Sequence, residues 1–240
     1  MRPRPHRLER LPEQYFTGLL ARVAAAAAEE GEEVVDLGRG NPDVPPPPHV
    51  VEALAEAARD PGAHGYPPFR GIPELREALA ARYRDVYGVE LDPQAEIAVV
   101  PGTKTAIVEL ALCVAERGDA ILLPDPGYPD YTSGVALAGA RELRLPLDPE
   151  AGFSPHFAAA PRDAVAAVYL NYPSNPCAAS APPGVFAQAV RYAGETGAAV
   201  VHDFAYGDLV FDGLRPQSFL AEPGATEVGV ELFSMSKSYG

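Results

Sequence analysis

From Glu96 onward, short β-rich runs at 96–100, 120–123, 141–145, 164–170, 198–202 and 229–233 alternate with stretches of helical spacing. No other feature limits the fold as much. Ile107, Leu110, Ala111 and Val114 form one helical stripe, and Phe186, Ala189, Val190 and Ala193 form another. Strands and helices taking turns in this way predict a mostly parallel sheet covered on both faces, an α/β fold with three layers, α/β/α. Before Glu96 the pattern differs. Tyr15, Leu19 and Val23 recur every four residues ahead of Gly31, which predicts an N-terminal helix with a glycine cap. Glu33 to Leu37 reads as a short strand, and the Gly and Pro residues from 38 to 48 read as a loop. Helical spacing returns over Val50–Ala58 and at Leu75, Leu79 and Tyr83, with Pro73 in a first turn and Gly88 as the stop.

Charge and cysteine content narrow the function. The 33 acidic side chains outnumber the 19 basic ones, for a net charge of −14, which argues against nucleic acid and anionic membrane as partners. A small-molecule ligand is expected instead. Cys113 and Cys177 stand far apart, so neither a disulfide framework nor a four-thiolate metal site is available, and no metal is expected. No signal peptide is visible after the four arginines of residues 1–10, and no run approaches the roughly 18 apolar residues of a membrane span. The expectation is a soluble, cytoplasmic protein.

Ligands of open α/β sheets sit beyond the carboxyl ends of the strands, so the residues following each run are the candidates. Pro101-Gly102-Thr103-Lys104-Thr105 is a glycine turn opening a helix, a seat for a phosphate, although an ordinary helix start capped by Thr103 reads the same way. Tyr128 lies in the proline-bounded stretch Pro124 to Tyr131 and can offer a flat face to a planar ring, or simply fill the core. Asn171 and Asn175 follow the next run, where Asn-Pro is also a plain turn signal. Asp203 ends the run 198–202 and Tyr206 follows three residues later: the carboxylate can hold a protonated ring nitrogen and the phenol a neighbouring oxygen, or they are a helix cap and a packed ring. His202 reads as structural. Ser234, Ser236 and Lys237 close the series after Glu231 to Phe233.

The ordered series of phosphate turn, tyrosine, asparagine, aspartate with tyrosine, and Ser-x-Ser-Lys resembles the fold-type-I pyridoxal-phosphate aminotransferases of class I/II. The likeness runs from about Leu37 to the last residue. Leu37-Gly38-Arg39-Gly40-Asn41-Pro42-Asp43, Tyr66-Pro67-Pro68-Phe69-Arg70-Gly71 and His202-Asp203-Phe204-Ala205-Tyr206-Gly207 are most similar to methionine-salvage aminotransferases acting on 4-methylthio-2-oxobutanoate, with LL-diaminopimelate and alanine aminotransferases close behind. The resemblance implies pyridoxal 5′-phosphate as cofactor, with Lys237 as the lysine bonded to it and Asp203 on the pyridine nitrogen. It further implies Tyr206 and Asn175 on the ring's 3-oxygen and Tyr128 stacked on the ring. Thr103, Lys104, Ser234 and Ser236 then form the phosphate cradle. Gly40 lies by the substrate carboxylate, Tyr15 edges the substrate pocket, and Tyr66 reaches a phosphate across a homodimer interface. The partners implied are an amino acid and a 2-oxo acid.

Two departures stand out. The family reads Asn-Pro-Thr-Gly where this chain has Asn175-Pro176-Cys177-Ala178, which alters the turn after the amide. Relatives also continue past the lysine through a phosphate-binding arginine, a further strand and a small domain with a carboxylate-binding arginine, none of which lies in these 240 residues. The further strand runs, in relatives, between those matching 96–100 and 229–233. The domain reading is an N-terminal arm and small-domain segment over 1–40, and an incomplete cofactor-binding large domain over 41–240. A carbon–sulfur lyase or acyl-CoA-dependent synthase shares the same key residues, and a non-catalytic remnant or ligand-binding module is the other alternative.

Overall fold

The computed structural model describes residues 5–30, 35, 40, 42, 44–215 and 217–239. The alternation after Glu96 folds as strands β1 (Ala120–Asp125), β2 (Arg141–Asp148), β3 (Ser154–Pro155), β4 (Val165–Asn171), β5 (Ala199–Phe204) and β6 (Gly229–Phe233). They form one sheet in the order β3-β2-β1-β4-β5-β6. All neighbours pair in parallel except the two-residue β3, which turns back antiparallel on the end of β2. Sequence pattern does not reveal a strand that short.

The helices are α1 (His6–Glu9), α2 (Tyr15–Glu30), α3 (Pro48–Ala57), α4 (Pro73–Arg82), α5 (Thr103–Val114), α6 (Tyr131–Ala138), α7 (Val185–Thr196) and α8 (Ala225–Val228). As expected, α2 occupies the Tyr15, Leu19, Val23 segment. Pro73 opens α4, which widens into a π turn over Tyr83–Tyr87 and stops at Gly88 with φ 71°. On one sheet face Ile107 and Ala111 of α5 pack with Tyr131 and Val135 of α6 on Ile121, Tyr169 and Val201. On the other, Phe186 and Ala189 of α7 pack with Phe219 on Leu122, Val168 and Val200. Each large apolar side chain buried this way contributes about 1.5–3 kcal/mol. Both faces being covered explains why β1 and β4 read as nearly continuous apolar runs rather than alternating ones.

Register then sets the working end. Asn171 lies opposite Asp203 and Asp203 opposite Leu232, so the segments leaving β4, β5 and β6 emerge side by side on one rim. His202, pointing into the core as expected, is fully buried.

One expected strand does not form. Residues 97–100 run as unpaired chain, with Val99 donating its N–H to Arg70 O at 3.0 Å. The reason is the lack of a ladder partner: a cavity of about 550 Å³ lined by Ile97, Val99, Leu79, Val230 and Phe233 separates the segment from β6. The strand expected at 33–37 and most of the loop at 38–43 lie outside the described residues. Val35, which is described, is not in a strand. Among the described residues no helix is long and apolar enough to cross a membrane.

Candidate functional site

Along the rim formed by the carboxyl ends of β1, β4, β5 and β6 lies a cavity of about 890 Å³. Thr103, Lys104 and Tyr128 line one side, Asn175, Asp203 and Tyr206 the floor, and Ser234, Ser236, Lys237 and Gly40 the other side. Ten of the residues singled out from sequence therefore meet in one place. Two do not. Tyr66 is fully exposed, as is Phe69 beside it. Tyr15 is half-exposed and packs edge-on against Phe16; it is Phe16 that lines the cavity, because the next residue on a helix points about 100° away.

Asp203 ends β5 with its side chain turned to the face opposite His202, as strand alternation requires. Its Oδ2 accepts the buried Tyr131 hydroxyl at 2.7 Å, and its Oδ1 accepts the Ala205 N–H at 3.3 Å. Burial holds the carboxyl above its ordinary range, opposed by those two bonds and by the neighbouring His202. No lysine or arginine pairs with it among the described residues. Tyr131 is a site residue that sequence alone did not reveal: its bond spans 72 positions of chain.

Asn171 builds the floor rather than facing the cavity. It donates from Nδ2 to Asp203 O at 2.7 Å and accepts the Asn175 N–H on Oδ1 at 2.6 Å. That fixes Asn175, whose Nδ2 donates to the Tyr206 hydroxyl oxygen at 3.3 Å. Tyr206 thus accepts one hydrogen bond and keeps its own O–H to donate. Its phenol lies above the ordinary value through burial, with the Asn175 bond acting against the shift.

After β6 the chain turns sharply, Ser234 Oγ accepting the Ser236 N–H at 3.2 Å. This brings Lys237 Nζ to 3.4 Å from Gly40 O and 5.9 Å over the Tyr206 ring. Across the cavity, Gly102 at φ 88° opens α5 without a side-chain cap, so Thr103 is not the cap that the plain reading supposed. The first N–H groups of a helix have no acceptor within it, and the helix dipole favours an anion there. Lys104, expected in the anion cradle, lines the cavity and pairs its ammonium with Asp130 at 2.5 Å.

The arrangement offers an amine, a buried carboxylate without a cation, a phenol–amide pair and an anion seat around one volume. Residues 32–240 match the family model described as aminotransferase class I and II. The chain is 47% identical to L-glutamine--4-(methylsulfanyl)-2-oxobutanoate aminotransferase of Bacillus subtilis (strain 168), across 98% of this chain and 59% of that protein. It is 42% identical to LL-diaminopimelate aminotransferase of Dehalococcoides mccartyi (strain ATCC BAA-2266 / KCTC 15142 / 195), across 97% of this chain and 61% of that one. Among solved structures it is similar to substrate-bound BacF from Bacillus subtilis, with a TM-score of 0.91 and 39% identity over 100% of this chain and 61% of that chain. The chain spans about three fifths of the length of these relatives.

Proposed function

This chain belongs to aminotransferase class I and II, and from that premise we propose that it is the cofactor-binding portion of an enzyme moving an amino group between an amino acid and a 2-oxo acid. The cofactor in this reading is pyridoxal 5′-phosphate, which when bound supplies an aldehyde to take up the amino group and a pyridinium ring to accept electrons. The observation that carries the reading is Asp203. A buried carboxylate is costly without a cation, and Asp203 faces the cavity with no lysine or arginine partner among the described residues; a protonated ring nitrogen is the complement it lacks. The other donors fit the same molecule. Tyr206 and Asn175 are placed to hold a ring oxygen, Tyr128 offers a ring face, and the start of α5 with Ser234 and Ser236 offers donors to a phosphate.

Within this reading Lys237 Nζ would hold the cofactor and, when free, would move a proton at the substrate's α-carbon. Asp203 keeps its proton-bearing partner charged by remaining ionised itself. Tyr206 orients its O–H toward the ring oxygen while Asn175 holds the phenol in place. The similarity to L-glutamine--4-(methylsulfanyl)-2-oxobutanoate aminotransferase and to LL-diaminopimelate aminotransferase supports glutamine with a methylsulfanyl 2-oxo acid, or LL-diaminopimelate, as substrates. The exposed Tyr66 and Phe69 support a second subunit covering that face, so the complete enzyme is a cytoplasmic homodimer in this reading.

The chain has only two lysines, Lys104 and Lys237, which makes the test direct. Borohydride reduction in the presence of pyridoxal 5′-phosphate, followed by peptide mass spectrometry, should place the adduct on Lys237 and lose it in Lys237→Ala. An adduct on Lys104 alone would overturn the assignment.

A further inference from the structure

A lysine at the opening of a helix whose first N–H groups face an anion seat is the residue that simple electrostatics would send to the anion. Lys104 goes elsewhere. Its ammonium meets Asp130 Oδ2 at 2.5 Å and stands 5.8 Å over the Tyr128 ring. The same carboxylate oxygen accepts the Tyr128 hydroxyl at 2.9 Å. The Asp130 side chain is only 12% exposed, so these charged hydrogen bonds are sheltered from water on the acceptor side, where they are stronger than on an open surface.

The remaining edges of Tyr128 are also held. Tyr131 meets it edge-on, with centroids 5.5 Å apart and planes at 76°, and Phe16 lies tilted at 6.4 Å. Tyr131 is the residue that donates to Asp203. One string of contacts therefore joins Lys104, Asp130, Tyr128, Tyr131 and Asp203 along one wall of the cavity. Asp130 precedes α6 as its N-cap yet makes no side-chain cap bond; its carboxylate is committed to Tyr128 and Lys104.

We propose that Asp130 is a positioning residue that commits Lys104 to holding Tyr128 and so withholds the lysine charge from the anion seat at the start of α5. The inference rests on the reading of this cavity as a pyridoxal 5′-phosphate site. Phosphate is then held by backbone N–H groups and hydroxyls, while Lys104 acts on the ring through Tyr128. Losing Lys104 weakens binding of the cofactor and of its phosphate-free form, pyridoxal, by the same factor. Losing Asp130 frees the lysine, and only then does Lys104 contribute to phosphate.

The test uses the 240-residue chain labelled with ¹⁵N-lysine and mixed with the unlabelled C-terminal portion of a relative to suppress self-association, its two ammonium signals being assigned with Lys104→Gln. The Lys104 signal should exchange with water at least about tenfold more slowly than a free ammonium, and should lose that protection in Asp130→Asn. Inorganic phosphate should leave the Lys104 signal unmoved in the wild type and shift it in Asp130→Asn. In parallel, the ratio of pyridoxal to pyridoxal 5′-phosphate dissociation constants should stay within about twofold on Lys104→Gln, but fall about tenfold when Lys104→Gln is made in the Asp130→Asn background. A merely structural Asp130 would not reverse the effect of Lys104 in this way. A wild-type Lys104 signal that moves with phosphate, or a ratio that falls tenfold on Lys104→Gln alone, overturns the proposal. Should neither compound bind, the cofactor reading fails, and the exchange and phosphate responses of Lys104 still decide whether Asp130 withholds it.

Discussion

Asp203 costs the folded chain stability whenever it is ionised, because it is buried with no lysine or arginine paired to it among the described residues. Its carboxyl lies above the ordinary range through burial, so the folded state binds the proton more tightly than the unfolded one. The penalty is therefore complete above the folded value and gone below the unfolded value. Asp203→Asn keeps an acceptor for Tyr131 and should stabilise the cofactor-free chain by about 1 kcal/mol at neutral pH. Urea titrations should show that gain shrinking as pH falls through the folded value; a gain that grows toward acid would contradict it. In the complete enzyme the same substitution should cut single-turnover transamination more than Asn175→Ala does, whose lost hydrogen bond costs about 1–3 kcal/mol. Equal losses would rule out the role given to Asp203. The turn after Asn175 is a second case. Ala178 occupies it at φ 54°, with its N–H on Ser174 O at 2.9 Å and the Ser174 N–H on Ala179 O at 2.9 Å. The turn survives the departure from Thr-Gly, but alanine carries left-handed strain of about 1–2 kcal/mol that glycine does not. Ala178→Gly should raise the urea midpoint by the equivalent of about 1 kcal/mol with an unchanged slope.

Strands β5 and β6 are joined by more than their ladder. The Glu231 carboxylate of β6 is fully buried and accepts four hydrogen bonds: from Tyr83 Oη at 2.8 Å and Ser218 Oγ at 2.7 Å on Oε1, and from His202 Nδ1 and the Phe219 N–H, both at 2.7 Å, on Oε2. His202 Nε2 lies 3.1 Å from Tyr172 O. This network fixes the level of Asp203 against the turn carrying Lys237. Glu231→Gln places an amide among donors and should destabilise by about 3–5 kcal/mol in chemical denaturation. A loss under 1 kcal/mol would show the network to be incidental. The sequence disclosed what depends on local pattern. Five of the six β runs after Glu96, the α5 and α7 stripes, the structural His202 and ten cavity residues follow from periodicity, from strand-end position and from family likeness. What it concealed depends on pairing across the fold. Tyr131 reaches Asp203 only once α6 packs on the sheet, Phe16 rather than Tyr15 meets the cavity because of how α2 is rotated, and the Lys104 ammonium pairs with Asp130 just before α6.

The open side of the sheet decides what the 240 residues can do by themselves. The outer edge of β6 faces the 550 Å³ cavity, with residues 97–100 unpaired on its far side. The resemblance places a further strand in that gap, and the chain spans about three fifths of its relatives' length. An unpaired strand edge beside apolar Leu79, Val99 and Phe233 leaves backbone donors and acceptors unsatisfied and invites association. The same resemblance places two arginines beyond residue 240, one on phosphate and one on the substrate carboxylate. Each charged contact contributes about 1.5–3 kcal/mol, roughly tenfold to more than a hundredfold in affinity. The isolated chain should therefore retain cofactor weakly, show no measurable transamination and self-associate. Size-exclusion chromatography with glutamate- and pyruvate-linked assays checks all three. Adding the relatives' C-terminal portion as a separate polypeptide should suppress association by filling the gap beside β6. A monodisperse sample of residues 1–240 turning over at an ordinary enzymatic rate would show instead that the cavity beside β6 needs no strand and that the two arginines are dispensable.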